Sequence, residues 1–260
     1  PDHGGLARLV PERGAEVWAT RTAWLMARML TLDVQEQVSA QQIGFWRGGG
    51  MPDPLLEKRI SERPFNFADV VHPIPLGFRR LVEGQTVRMG GRDWTVRTGN
   101  GHAPEHATFW SADGTLVLAG DQVLPGISPN LGVYPTEPDA DPVGEWLESC
   151  QRLKVLATDR HFVLPGHKLP FYGLPERLGQ LIANHHGALT RLESYLAHPR
   201  TANDCFPVLY KREIGDAEYG LALVEAIGHL NHLLQTGRAT RARRADGAWA
   251  WQAAHRSLRA

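Results

Sequence analysis

A chain of 260 residues can bury a substantial core and hold one large domain, or a large and a small one. Its 28 Lys and Arg residues balance 28 Asp and Glu, so no global field draws it to nucleic acid or an anionic membrane, and such binding would need a local patch. The longest apolar candidate, Trp24 to Leu32, is interrupted by Arg28 and falls short of the ~20 residues of a membrane span. Cys150 and Cys205 lie far apart, outside any CxxC spacing, and read as buried thiols rather than a disulfide or metal pair. The chain does not open on Met and shows no signal-peptide pattern. A soluble cytoplasmic protein is the default expectation.

In chain order, Gly4 to Val10 reads as a short helix closed by Pro11 and Gly14, and Ala15 to Ala19 as a buried strand. One or two helices are predicted from Thr22 to about Phe45, ending at Gly48-Gly49-Gly50, and another over Pro54 to Arg63. Pro52 to Pro75 resembles an insertion that could cover a cleft. Short strands follow at Arg79 to Val82, Thr86 to Met89, Asp93 to Thr98, Ala107 to Ser111 and Thr115 to Leu118, with Asp113-Gly114 a hairpin signal. A helix at Pro142 to Leu156 and a strand at His161 to Leu164 complete an alternation that points to sheets covered by helices. Beyond Pro175 the chain turns helical to about Leu196, then forms a short helix capped by Thr201, a helix from Asp216 to Leu234 stopped near Gly237, and a hairpin around Ala245-Asp246-Gly247.

Four segments place polar donors at strand termini. Asp2-His3 opens the chain; Gly101-His102-Ala103-Pro104-Glu105-His106 follows one predicted strand; Leu116 to Gly120 runs into Asp121; and Phe162 to Gly166 runs into His167. Carboxylates and imidazoles are the ligand types that zinc takes at ~2.0–2.2 Å. Each segment alone also has a plainer reading: a surface Asp with a capping His, a hydrogen-bonded loop His, a turn carboxylate, a satisfied His at a strand end. The plainer reading is favoured for His106.

Together and in this order, the segments resemble the metallo-β-lactamase superfamily over residues 1 to about 170. Pro1-Asp2-His3 is similar to the second half of its H-x-H-x-D-H motif, Gly101 to His106 to its G-H-T-P-G-H segment with Glu105 replacing the common glycine, and Pro165-Gly166-His167 to its last ligand segment. The resemblance implies an α/β fold, an αββα sandwich incomplete at the N-terminus, in residues 1–172. It implies two zinc ions per complete protein, with iron or manganese as alternatives. Asp2, His3 and His167 would hold one metal, His102 the other, and Asp121 both. Asp2 and Asp121 would be catalytic, Asp2 orienting a metal-bridging hydroxide that attacks the substrate. With the HxH half absent from this sequence, the chain is expected to hold at most one metal well and to hydrolyse poorly. His72, His161, His185, His186, His198, His229, His232 and His255 match no ligand segment and are expected to be structural or solvent-facing.

Residues 173–260 resemble the winged-helix extension of the lactamase-beta-like 2 branch. The favoured expectation is a hydrolase of small-molecule esters, thioesters or related carbonyl compounds, as in the glyoxalase II-like branch, with homodimerisation as one role for the extension. Arg238, Arg241, Arg243, Arg244, Arg256 and Arg259 make the hairpin and tail locally basic, which keeps two alternatives open: a metal-dependent endoribonuclease, and a non-catalytic nucleic-acid-binding winged helix. No membrane partner is expected.

Overall fold

The structure is a computed structural model that describes residues 4–254. Its elements are α1 (Leu9–Arg13), β1 (Trp18–Ala19), α2 (Arg21–Leu32), α3 (Ala40–Gly48), α4 (Asp53–Ser61), β2 (Arg79–Arg80), β3 (Thr86–Met89), β4 (Arg92–Gly99), β5 (His106–Ser111), β6 (Leu116–Gly120), α5 (Pro142–Leu156), β7 (Phe162–Pro165), α6 (Leu174–Tyr195), α7 (Phe206–Tyr210), α8 (Asp216–Gln235), β8 (Ala239–Arg243) and β9 (Trp249–Ala253). The expected α/β architecture is present. Two compact units divide the chain, one of Pro1–Gln37, Arg63–Pro129 and Glu148–Gly179, the other of Val38–Glu62, Asn130–Leu147 and Gln180–Ala260.

The first unit is built on a five-stranded sheet in the order β3-β4-β5-β6-β7. Neighbours from β3 to β6 are antiparallel, and β6 and β7 run parallel. The Asp113-Gly114 turn that reverses the chain between β5 and β6 puts Gly114 at φ +68°, a conformation that suits glycine. Trp94 and Val96, alternate residues of β4, form a buried cluster with Leu81 and Val87, against which Phe109, Leu116 and Leu118 pack. The opposite sequence register buries Val117, Ala119 and Val163, so the central strands are covered on both faces and read as nearly continuous apolar runs.

Two expectations near the N-terminus need correction. The segment Ala15 to Ala19 is not a buried strand: only Trp18 and Ala19 pair, in parallel with Arg79 and Arg80, and Trp18 is exposed, its indole N–H donating to Glu16 while Arg79 lies over the ring. Pro11 does not end the first helix either. It sits in the opening turn of α1, where no intrahelical N–H is required, and Gly14 at φ +63° closes the helix by donating to Val10.

In the second unit, Leu189 and Leu192 of α6, Leu196 just after it, and Leu223, Leu230 and Leu233 of α8 are fully buried together with Trp146 and Trp251. Thr201 and Asp204 hydrogen-bond reciprocally, each accepting from the other's backbone N–H, which starts the turn into α7 as a capping box does. Gly228 lets α8 approach residue 131 closely, since a Cβ there would lie 2.5 Å from the Leu131 carbonyl oxygen. Strands β8 and β9 form the expected hairpin, and Gly237 takes φ +69° after α8. Cys150 and Cys205 are free and buried, and burial pushes the Cys205 thiol up to about 12. Among the described residues, no helix is long and apolar enough to cross a membrane.

Candidate active site

Strand directions gather one end of the sheet. Because β4 and β6 are each antiparallel to β5, and β7 is parallel to β6, the C-terminal ends of β4, β6 and β7 lie at the same edge as the start of β5. The loop after β4 carries His102, β5 begins with His106, β6 runs into Asp121, and β7 into Gly166-His167. Gly166 N–H donates to the Gly120 carbonyl at 2.8 Å and sets the last two ends side by side.

At this edge the two imidazoles converge on one carboxylate oxygen. Nε2 of His102 lies 3.6 Å and Nε2 of His167 3.4 Å from Oδ2 of Asp121. Asp121 is buried, His102 is largely covered, and His167 is half exposed. Both spacings exceed an ordinary N–H···O hydrogen bond, whereas two ligands ~2.1 Å from a tetrahedral cation stand about 3.4 Å apart. The donor types and their separation therefore fit a shared cation. Among the described residues, however, no group of three His, Cys, Asp or Glu side chains forms a set that holds a metal ion by itself. Asp2 and His3, the remaining ligands expected from sequence, lie outside the described residues.

Glycines clear the space around the carboxylate. A Cβ on Gly166 would collide with Oδ1 of Asp121 and come within 3.2 Å of the Gly120 carbonyl carbon. One on Gly120, which has φ +50°, would meet the His106 ring at 2.5 Å. His106 thus packs against the strand end that leads into Asp121.

The His102 loop is tied down from several directions. At its base Thr98 donates its N–H (2.6 Å) and hydroxyl (3.0 Å) to Glu83, and Arg152 donates to the Thr98 carbonyl at 2.8 Å. Burial raises the Glu83 carboxyl, but hydrogen bonds from Thr98 and Arg97 outweigh it and hold the group below its ordinary value. Asn100 N–H donates to the hydroxyl of buried Ser149 at 2.9 Å, and Asn100 Oδ1 accepts from Glu105 N–H at 2.8 Å. On the far side of Asp121, Arg177 donates to the carbonyls of Leu124 (2.7 Å) and Ile127 (3.0 Å), fixing the loop that leaves the carboxylate. Sequence reasoning missed Glu83, Asn100, Ser149 and Arg177. None stands in a motif, and only the replacement of glycine by Glu105 was visible in the sequence.

A strand-end cluster of this kind on a mixed sheet defines the class as an α/β protein with polar donors gathered at one sheet edge. The family model described as metallo-beta-lactamase superfamily matches residues 1–167, and that described as metallo-beta-lactamase-like, C-terminal domain matches residues 189–254. The chain belongs to the metallo-β-lactamase superfamily, whose members are generally hydrolases and generally bind metal ions. The structure is similar to that of a beta-lactamase domain protein from Burkholderia ambifaria, with 33% identity, a TM-score of 0.86, and coverage of 97% of this chain and 72% of that one. It is also similar to a metallo-beta-lactamase family protein from Thermus thermophilus, with 25% identity, a TM-score of 0.75, and coverage of 97% and 76%. Among proteins of curated function, none matches the chain.

Proposed function

We propose that the protein is a zinc-dependent hydrolase of small-molecule esters, thioesters or related carbonyl compounds. The observation that carries the reading is the approach of His102 and His167 to the same oxygen of buried Asp121 at one sheet edge. In this reading His102, His167 and Asp121 would hold the metal, with Asp2 and His3 completing the set. Bound zinc supplies an activated water near neutral pH and polarises the scissile carbonyl. Asp121 is held for this by Gly120 and Gly166, whose missing side chains leave room for its carboxylate and for His106. Asp2 is assigned the orientation of the attacking water.

We read residues 1–172 as the hydrolase domain and 173–260 as a winged-helix-like extension, supported by the two family matches and by the run of helices and hairpin after residue 173. A cytoplasmic address accords with two free, buried cysteines. The nuclease alternative gains no support from the hairpin, because Arg238 pairs with Glu193, Arg241 with Asp139 and Arg244 with Asp246. Arg256 and Arg259 lie outside the described residues.

The test is zinc content together with turnover on a panel of thioesters, lactones and RNA, for the parent and His102→Ala. Carbonyl hydrolysis that needs zinc and is lost in the variant is the expected result. RNA cleavage alone, or hydrolysis indifferent to His102, would overturn the reading.

A further inference from the structure

Glu105 occupies a backbone conformation meant for another residue type. Its φ is +47°, in the left-handed region that costs a side-chain-bearing residue on the order of 1 kcal/mol or more unless its surroundings hold it there. The surroundings do hold it. Its N–H donates to Asn100 Oδ1 (2.8 Å), its carbonyl accepts from the hydroxyl of buried Thr20 (2.8 Å), and its carboxylate accepts from the Thr22 N–H (3.0 Å). Thr20 and Thr22 stand at the first turn of α2, whose N-cap Thr20 makes no side-chain cap bond of its own. The carboxylate satisfies a helix-start N–H that the Thr20 hydroxyl would otherwise reach, which frees that hydroxyl to clamp the loop. One residue thus joins the two ends of the loop, through Asn100, to a separate helix.

His102 is the residue this arrangement serves. It lies between Asn100 and Glu105, with Asn100 itself anchored on Ser149 of α5 at 2.9 Å. A shift of the loop backbone at Asn100 or Glu105, the residues that flank His102, would break the Asn100–Glu105 bond or the Glu105–α2 clamp. We propose that Glu105 is a positioning residue for His102, locking the loop so that the imidazole is presented to Asp121 before any ligand arrives. A glycine at 105 would keep the backbone conformation and lose the lock. The inference rests on the assignment of His102 as a metal ligand.

The test is Zn²⁺ affinity by competition with a chromophoric chelator, measured beside thermal unfolding, for the parent, Glu105→Gly, Glu105→Gln, Thr20→Val and His102→Ala. Loss of a group that orients a ligand weakens metal binding by roughly 10–100-fold. Glu105→Gly should therefore bind zinc at least about tenfold more weakly. Glu105→Gln, which retains an acceptor for the Thr22 N–H, should recover most of the affinity, and Thr20→Val should fall between them. A merely structural role would lower the melting temperature and leave zinc affinity alone. If His102→Ala weakens zinc binding while Glu105→Gly and Thr20→Val stay within twofold of the parent, the positioning role is wrong and the metal assignment stands. If His102→Ala itself changes nothing, the metal assignment fails. Should Glu105→Gly fold poorly, the ranking of Glu105→Gln and Thr20→Val still decides.

Discussion

Two regions of this molecule gather charged and polar residues, and they use them in opposite ways. At the sheet edge of the first unit, His102 and His167 converge on one oxygen of Asp121 at 3.6 and 3.4 Å, and glycines leave room for the carboxylate. At the hairpin of the second unit Arg238, Arg241 and Arg244 pair with the protein's own carboxylates, and Arg241 and Arg243 lie over Trp249 at 4.5 and 4.8 Å. Both look functional as strings of residues. Three-dimensional placement separates them: the first cluster converges on one carboxylate oxygen at a sheet edge, as the proposed metal site requires, while the second is spread along a hairpin in pairs and stacks.

The comparison breaks most decisively at Asp121. Replacing it with asparagine preserves shape and removes the charge that both imidazoles face, so zinc binding and hydrolysis should fall by more than the ~100-fold typical of losing a supporting group. Zinc titration and turnover on the best substrate check this. An Asp121→Asn protein with parental zinc affinity would return the cluster to the plain status of a strand-end turn.

Gly166→Ala probes the same edge without altering any donor. The new methyl must displace the Asp121 carboxylate or the adjoining strand end, and the expected cost is about tenfold or more in zinc affinity. Unchanged affinity would mean that the carboxylate has slack that the packing does not show.

How much of this was legible beforehand differs by scale. The strand-end positions of His102, Asp121 and His167 could be read because apolar runs end at or just before each of them, and α5 was legible from its periodicity; Asp141, which accepts from Gly144 N–H at 2.8 Å at its start, was not singled out. Trp18 misled because an apolar pair suggests burial, whereas a two-residue strand has too little pairing to be enclosed. The grouping of residues 38–62 and 130–147 with the C-terminal helices is carried by contacts distant in sequence, and no local pattern encodes it. The supports of the His102 loop were hidden for the same reason: Ser149 and Thr20 are ordinary residues until folding brings them to Asn100 and Glu105.

A third experiment concerns titration inside the second unit, where two buried groups on α8 oppose each other. Burial, with the neighbouring His185 charge adding to it, pulls His229 down to about 4, although its Nδ1 lies 2.9 Å from the Glu225 carbonyl; His232 and Asp141 are also close. Burial pushes Glu225 up to about 7 despite a hydrogen bond from Asn130. The depressed His229 contributes stability that is full above its unfolded value of 6.5 and is lost as pH falls toward 4. The raised Glu225 contributes stability that is full below its unfolded value of 4.5 and is lost as pH rises toward 7. Across the shared window the slopes cancel, so unfolding moves a proton from one group to the other without net uptake. Glu225→Gln should expose the His229 slope and lose about 2 kcal/mol between the top and bottom of that window, while His229→Asn should show the opposite slope. Denaturant unfolding at both ends of the window measures it, and flat profiles in both variants would contradict it.

The smallest effect is expected in the hairpin, and its smallness is the informative part. Arg241 bonds Asp139 at 2.8 Å, but Asp139 is mostly exposed, so the pair is worth at most about 1 kcal/mol. Stacking of partly covered Arg241 and exposed Arg243 on the one Trp249 ring adds roughly 0.5 kcal/mol for each, the low end of such contacts because they share the ring. The double variant Arg241→Ala/Arg243→Ala should lose no more than about 2 kcal/mol of stability, keep zinc-dependent turnover, and leave any RNA retention and its salt dependence unchanged. A real phosphate-binding face would behave otherwise, because each lost phosphate contact lowers the salt slope by nearly one. Salt-sensitive RNA binding that disappears with these two arginines would show that Asp139 and Trp249 yield them to a better partner, and the contrast between a convergent sheet edge and a paired hairpin would then have to be redrawn.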